Sequence, residues 1–293
     1  MASFFFKTRA LLSSNSSKFG AIAAISTFPL GFALNDGEKK AFSPKEWRSF
    51  KLIQVRELTH DTSLFRFALP TTQHEMGMKT SSCIMVQGET RTGSMVARPY
   101  TPTSTNEQKG FFDLIVKNYP NGNVSSYIHG LKIGDNLNVK GPYMKLEYKP
   151  NMFKRIGMIA GGSGITPMIQ LCREILSNPD DTTEISLIFA NNTEGDIMQK
   201  AWLDQMAAQY HNFRVYYTVR DAPAGWRQGQ GVCDAEMIEK KMPAPEAGTM
   251  VFVCGPDGMM DAVCGPKGKN YTQGELQGLL KERGFTAEQV YKF

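Results

Sequence analysis

The chain has no C-x-x-C pair. Its five cysteines, Cys83, Cys172, Cys233, Cys254 and Cys264, are scattered singly. That spacing excludes iron–sulfur and zinc-ribbon sites, and an odd count makes a poor disulfide framework. Histidine is as sparse: His60, His74, His129 and His211 stand alone, so no H-x-x-x-H face exists for zinc. A strong charge bias is missing too. The net charge is +5, and residues 1–35 hold +3 of it through Lys7, Arg9 and Lys18 without an acid, which leaves 5 − 3 = +2 for the remainder. A body this close to neutral lacks the basic footprint of a nucleic-acid binder. Redox chemistry, if present, must be carried by an organic cofactor.

The N-terminus lacks acids but is rich in Phe, Ser and basic residues up to Lys18, the composition of a mitochondrial transit peptide. The mostly apolar stretch that follows, residues 19–34, is 16 residues long and contains Pro29 and Gly31. A spanning helix needs about 20 residues. The expectation is targeting with possible membrane anchoring, then a polar linker up to residue 40.

At 293 residues, and with about 150 residues per domain, the chain predicts roughly two domains. From about residue 47 to 150 the signals are short and strand-like: residues 50–55, 62–69, 83–86, 111–116 and 137–139, punctuated by Pro70, Gly88, Gly110, Gly134 and Gly141. Only residues 125–131 read as helix. Many short strands with one helix predict a closed or nearly closed antiparallel β-barrel. From residue 154 to 293 the pattern alternates. Strands are expected at 156–160, 185–190, 213–219 and 250–254. Helices are expected at 167–176, 197–210, 235–241, 256–263 and 274–283. This is the βαβ signature of a parallel, Rossmann-like sheet.

Four segments point to chemistry. Gly161-Gly162-Ser163-Gly164-Ile165-Thr166-Pro167 follows an apolar strand, and such a turn lets backbone approach a phosphate or a flat ring. Pro167 suits a first helical position. The segment departs from the dinucleotide fingerprint: Pro167 stands for the third glycine, and no acid ends the next strand at Asn191-Asn192. Cys254-Gly255-Pro256 ends another parallel strand, where ligands of such sheets bind. Arg98-Pro99-Tyr100-Thr101-Pro102 sets a permanent cation, an aromatic face and a hydroxyl on one rigid strand, and its prolines exclude a central one. Gly122-Asn123-Val124-Ser125 precedes the single helix of the first half, and its amides suit an anion; a plain N-cap by Ser125 is the competing reading.

In this order, across about residues 47–293, the segments resemble the ferredoxin–NADP reductase-like flavoproteins, and within them the NADH–cytochrome b5 reductases. Residues 189–194 and Val290-Tyr291-Lys292-Phe293 match as well. The N-terminus and the tail from Gly274 resemble the mitochondrial branch. The resemblance implies an antiparallel Greek-key FAD barrel followed by an α/β nicotinamide domain. By it, Arg98 pairs with the FAD pyrophosphate, Pro99 and Tyr100 pack on the flavin, and Thr101 bonds near the ring nitrogen that receives the hydride. Ile115 and Lys117 lie on the adjacent strand, with Lys117 also facing the dinucleotide. Gly122, Asn123, Val124 and Ser125 take the FAD phosphate, and Thr166 touches the flavin from the second domain. Gly162, Gly164, Cys254, Gly255, Pro256 and Phe293 shape the NADH pocket. Thr101, Lys117 and Cys254 stand nearest the reacting atoms, Cys254 without a neighbouring base that would make it a nucleophile.

The implied activity is hydride transfer from NADH to FAD and single-electron transfer to cytochrome b5 or a similar haem protein, docked through exposed lysines such as Lys51, Lys145 or Lys149. A module serving another acceptor, or a non-enzymatic NAD-binding module, is the alternative. Arg220-Asp221 reverses an order in which the family often has an acid first, and a cation there tolerates the extra phosphate of NADPH. The implied placement is mitochondrial, in the outer membrane or intermembrane space.

Overall fold

The computed structural model describes residues 39–293. The targeting and anchoring expectations for residues 1–34 lie outside the described residues. The first half contains β1 (Arg48–Thr59), β2 (Thr62–Ala68), β3 (Ser82–Glu89), β4 (Met95–Tyr100), β5 (Phe111–Lys117), α1 (Asn123–Gly130) and β6 (Asn136–Met144). They form one antiparallel sheet in the order β4-β3-β6-β1-β2-β5. Strand β1 is long because it serves two neighbours: Arg48 to Lys51 pair with β6, and Leu52 onward pairs with β2. The sheet curls until its ends nearly meet. Just past β4, the Thr103 N–H donates to the Asp113 carbonyl of β5 at 3.0 Å, and the Asp113 N–H donates to Ser104 Oγ at 3.0 Å. The barrel expectation holds in this nearly closed form.

Aromatic rings fill the barrel. The Phe112 centroid lies 5.0 Å from Phe42, 5.3 Å from Phe50 and 5.2 Å from Phe67. Phe42 comes earlier than the expected start at residue 47. The Ala41 and Phe42 amides donate to the Glu75 and Met76 carbonyls, and both side chains are buried. Residues 39–42 are therefore barrel wall rather than linker, since two apolar side chains gain more from burial than from water.

The second half contains β7 (Arg155–Gly161), α2 (Ile165–Ser177), β8 (Glu184–Asn191), α3 (Lys200–Gln209), β9 (Phe213–Val219), β10 (Gly229–Gln230), α4 (Ala235–Lys241), β11 (Thr249–Cys254), α5 (Asp257–Val263), α6 (Gly278–Glu282) and β12 (Val290–Lys292). The strands are parallel in the order β10-β9-β8-β7-β11-β12. One face is buried under α2 and α3, the other under α4, α5 and α6. The chain progresses outward from β7 through β8 and β9, then returns to lay β11 on the other side. The order therefore reverses between β7 and β11, the crevice where open α/β sheets bind ligands.

Three expectations shift in detail. Helix α2 begins at Ile165, so Pro167 is its third residue; the first four helical amides lack intrahelical acceptors, so proline still fits. The helix expected at 197–210 starts only at Lys200, behind Gln199 in a left-handed conformation. The helix expected from Gly274 shrinks to Gly278–Glu282, because Gly274 and Gly278 both adopt positive φ (+67° and +64°).

Phe112 is fully buried, with three phenylalanine rings around it. Phe112→Ala is expected to destabilise the fold by about 3–5 kcal/mol, read as a lowered denaturation midpoint of the barrel.

Candidate active site

The two sheets meet along a cleft of about 760 Å³. Its base is apolar. Leu64 of β2 and Ile115 of β5 turn out from the barrel and join the core formed by α2, α3 and the parallel sheet. Polar ties surround that contact. Tyr119 Oη and Ser163 Oγ lie 2.9 Å apart, the Ser82 N–H donates to Gln170 Oε1 at 3.1 Å, and Tyr291 Oη donates to the Lys145 carbonyl at 2.8 Å. Arg173 also donates to the Thr103 carbonyl.

The barrel wall of the cleft carries Pro99, Tyr100, Thr101, Ile115 and Lys117. Strand β4 can hold Pro99 because it is an edge, hydrogen-bonded only to β3. Burial pushes the Tyr100 phenol up to about 12; the nearby Tyr119 adds to the rise and Arg98 opposes it. The ring is neutral at physiological pH and presents an apolar face. Lys117 Nζ is held 2.8 Å from Asp61 Oδ2. Burial raises the Asp61 carboxyl, but hydrogen bonds from Lys117 and Thr62, with the Lys117 charge, outweigh it and hold it below the usual carboxylate value.

The opposite wall carries Gly164, Thr166, Cys254, Gly255, Pro256 and Phe293. Ala160 of β7 pairs with Cys254 of β11, so the glycine turn and the Cys-Gly-Pro turn leave adjacent strand ends. Gly164 is needed for contact: a Cβ there would lie 2.1 Å from the Cys254 carbonyl. Gly162, expected in the same pocket, does not line the cleft; it has φ +50° and open space where a Cβ would stand. The Thr166 hydroxyl donates to the Ser163 carbonyl at 3.2 Å. Burial pushes the Cys254 thiol up to about 11, with Lys267 opposing, so it is protonated at neutral pH and is no nucleophile. Phe293 stacks on Phe252 at 5.5 Å, fixed by its N–H donating to the Val253 carbonyl.

The remaining expected residues stand apart from this cleft. Arg98 is exposed, with Nη1 donating to the Ala97 carbonyl. Gly122 and Asn123 line a second cavity of about 410 Å³, together with Arg91 and Ser126. Val124 and Ser125 are buried beside it in the first turn of α1. Ser125 is not the N-cap: the helix starts two residues earlier, behind Gly122, and Ser125 Oγ is buried without a hydrogen-bond partner among the described residues. Sequence reasoning missed Ser81, Ser82 and Cys83 at the start of β3, Tyr119, Gln170, and the Lys267 and Tyr271 loop, all of which line the cleft. Tyr119, between β5 and the Gly122 turn, was within reach of a motif argument; Lys267 and Tyr271 sit in a loop without a pattern.

Comparison with known proteins matches each half to a separate family. Residues 49–148 match an oxidoreductase FAD-binding domain and residues 158–265 an oxidoreductase NAD-binding domain. The chain is 44% identical over 265 residues to an NADH-cytochrome b5 reductase-like protein of Arabidopsis thaliana, covering 88% of this chain and 80% of that protein. It is 42% identical over 273 residues to NADH-cytochrome b5 reductase 2 of Scheffersomyces stipitis, covering 93% and 92%. The chain belongs to the NADH-cytochrome b5 reductase family. Among solved structures, the cytochrome b5 reductase domain of Ulva prolifera nitrate reductase superposes with a TM-score of 0.75 at 33% identity, over 87% of this chain and 100% of that one. This member of the family is thus an oxidoreductase with an FAD-binding barrel and an NAD-binding sheet, and the cleft lies where the two meet.

Gly164→Ala is expected to force β11 and α2 apart. Overpacking of this kind costs about 1–3 kcal/mol, and the reduction of bound flavin by NADH should slow by at least about tenfold, since small misplacements at a reacting centre carry penalties of that size. Rapid-mixing absorbance of the flavin band checks it.

Proposed function

We propose that the protein is an FAD-dependent reductase that takes a hydride from NADH and passes single electrons to cytochrome b5 or a similar haem protein. One observation carries this: motif residues of both matched domains, from Tyr100 and Thr101 to Thr166 and Cys254, bound a single cleft. The residues present fit a flavin. Tyr100 offers a neutral ring face, Ile115 an apolar contact, and α1 opens with backbone amides around the orphaned Ser125 hydroxyl. When bound, the flavin supplies the conversion of a two-electron donor into a one-electron donor.

The work of the chain is alignment. Arg98, exposed beside Tyr100, is free to neutralise a pyrophosphate, and Gly122 to Ser125 present amides to its phosphate. Thr101 contributes a hydroxyl at the reacting edge of the ring. Lys117, restrained by Asp61, presents a cation toward the dinucleotide. Gly162, Gly164, Cys254, Gly255 and Pro256 keep the nicotinamide wall low enough for a second ring to stack, and Phe293 closes its edge against water. Direct transfer needs reacting atoms at about 3–3.5 Å and no protein acid or base. For the haem partner, Lys51, Lys145 and Lys149 are all exposed, and Lys145 is the one of the three at the cleft. We also propose a mitochondrial placement, in the outer membrane or intermembrane space, with membrane association through residues 19–34; the acid-free basic N-terminus supports it. Among the described residues, no helix is long and apolar enough to cross a membrane.

Two outcomes test the reading. The purified protein should be yellow, NADH should bleach the flavin band within one mixing experiment, and added cytochrome b5 should then be reduced; a colourless folded protein, or bleaching without haem reduction, contradicts it. Arg220 is exposed at the end of β9, with its guanidinium 3.3 Å from Asp221 and its N–H on the Asn191 carbonyl. Arg220→Asp should lower kcat/KM for NADPH more than for NADH, by roughly tenfold in ratio, the size of one charge contact to phosphate; equal effects on both remove Arg220 from cofactor selection.

A further inference from the structure

Three lysines line the cleft, and their surroundings differ. Lys117 is paired with Asp61. Lys145 is exposed. Lys267 is half-buried, and its ammonium makes no hydrogen bond or ion pair among the described residues. Of the acidic side chains only Asp257 lines the cleft, and it is exposed. A second lysine holds Lys267 in place. Lys292 of β12 is 2% exposed, and its Nζ donates to the Pro266 carbonyl at 3.0 Å and to the Glu275 carbonyl at 2.8 Å. Burying an ammonium is costly unless hydrogen bonds compensate it, so this anchor is a built feature of the loop. It fixes Pro266 and leaves the next residue, Lys267, little freedom. The loop also closes on itself: the Gly268 N–H donates to the Thr272 carbonyl at 3.0 Å, and a Cβ on Gly274 would lie 2.7 Å from the Pro266 carbonyl. The anchor is continuous with the nicotinamide wall. Lys292 pairs in register with Val253, Cys254 follows Val253, and Phe293 follows Lys292. Burial is the main cause that lowers the Lys267 ammonium below the usual lysine value; the Cys254 and Cys83 thiols oppose the shift and Lys145 adds to it. These groups share one end of the cleft.

We propose that Lys267 is a specificity-determining residue by which the cleft tells oxidised from reduced dinucleotide: its charge disfavours the cationic nicotinamide ring of NAD+ and spares the neutral ring of NADH, so product leaves more readily than substrate. This rests on the reading that the cleft takes NADH. Hydride transfer breaks a nicotinamide C–H bond together with its electron pair. The hydrogen and both electrons pass to the flavin, and the nicotinamide ring is left with one positive charge. Nothing else on the dinucleotide changes charge. Substrate and product therefore differ electrostatically only at the ring, beside the wall of Cys254, Gly255 and Phe293 that Lys267 adjoins. A half-buried charge over an apolar base is screened less than one in open water. Lys117 is less suited, because Asp61 neutralises it, and Lys145 less suited, because water surrounds it. A contact from Lys267 to a dinucleotide phosphate is the competing role. Phosphates keep their charge through the reaction, so that contact strengthens NAD+ and NADH alike.

The test measures dinucleotide binding to the oxidised, FAD-loaded protein by calorimetry. The probes are NAD+ and tetrahydro-NAD, the ring-saturated analogue whose nicotinamide is neutral and gives up no hydride. Lys267→Met keeps the length of the side chain and removes its charge. Its Kd for NAD+ should fall about fivefold while its Kd for tetrahydro-NAD stays within about twofold of wild type, the scale of one partly exposed charge pair. The inhibition constant of NAD+ against NADH in turnover should fall by the same factor. Lys267→Arg should keep the wild-type ratio of the two Kd values. An unchanged ratio in Lys267→Met overturns the proposal. So do two Kd values that rise together, the signature of a lost phosphate contact. Wild-type protein that binds neither probe overturns the NADH reading itself, an outcome read without any variant.

Discussion

The cleft exists because the barrel is apolar on part of its outside. Leu64 and Ile115 point away from the barrel interior, and water is excluded from them only by the helices and parallel sheet of the second half. That contact is non-directional, so it brings the halves together without fixing their angle. The angle is set by the directional bonds around it: Tyr119 to Ser163, Ser82 to Gln170, Tyr291 to Lys145. Residues that share the cleft owe their proximity to this division of labour, and alignment chemistry requires it, since a reaction without a protein acid or base has only geometry to improve.

Within each half, the local rules explain why the useful residues reach the cleft. An edge strand is where a proline costs least, and β4 is an edge, so a rigid Arg-Pro-Tyr segment is available there. The reversal of strand order between β7 and β11 leaves two chain turns at adjacent strand ends, and glycine at position 164 allows them to touch. Lys117 is restrained by a carboxylate that is itself held ionised, so its cation is placed rather than free to wander.

Much of this was legible in the sequence. The change of period near residue 150 separated an antiparallel half from a parallel one, and most strands fall where alternation and apolar runs put them; the short edge strands β10 and β12 carried no such pattern. The Gly-rich turn, the Cys-Gly-Pro turn and the Tyr100-Thr101 segment do converge on one cleft. What local pattern hid is what only tertiary contact creates. Phe42 falls between the expected linker and the expected barrel until Phe50 and Phe112 are seen packed edge-on against it. Ser125 looks like a cap until the helix is seen to start behind Gly122. Ser81, Ser82, Lys145 and Lys267 carry no motif, because their place in the cleft comes from the docking angle of the halves. His60 and Asp196 are 136 residues apart (196 − 60) and meet only across that junction.

Phe293 follows the last strand, yet it lines the same cleft as Pro99. During synthesis the barrel is complete long before β12 leaves the ribosome. Until α2, α3 and the strands of the parallel sheet have followed, its Leu64 and Ile115 patch has no cover, and a nascent chain in that state is a natural client for chaperones.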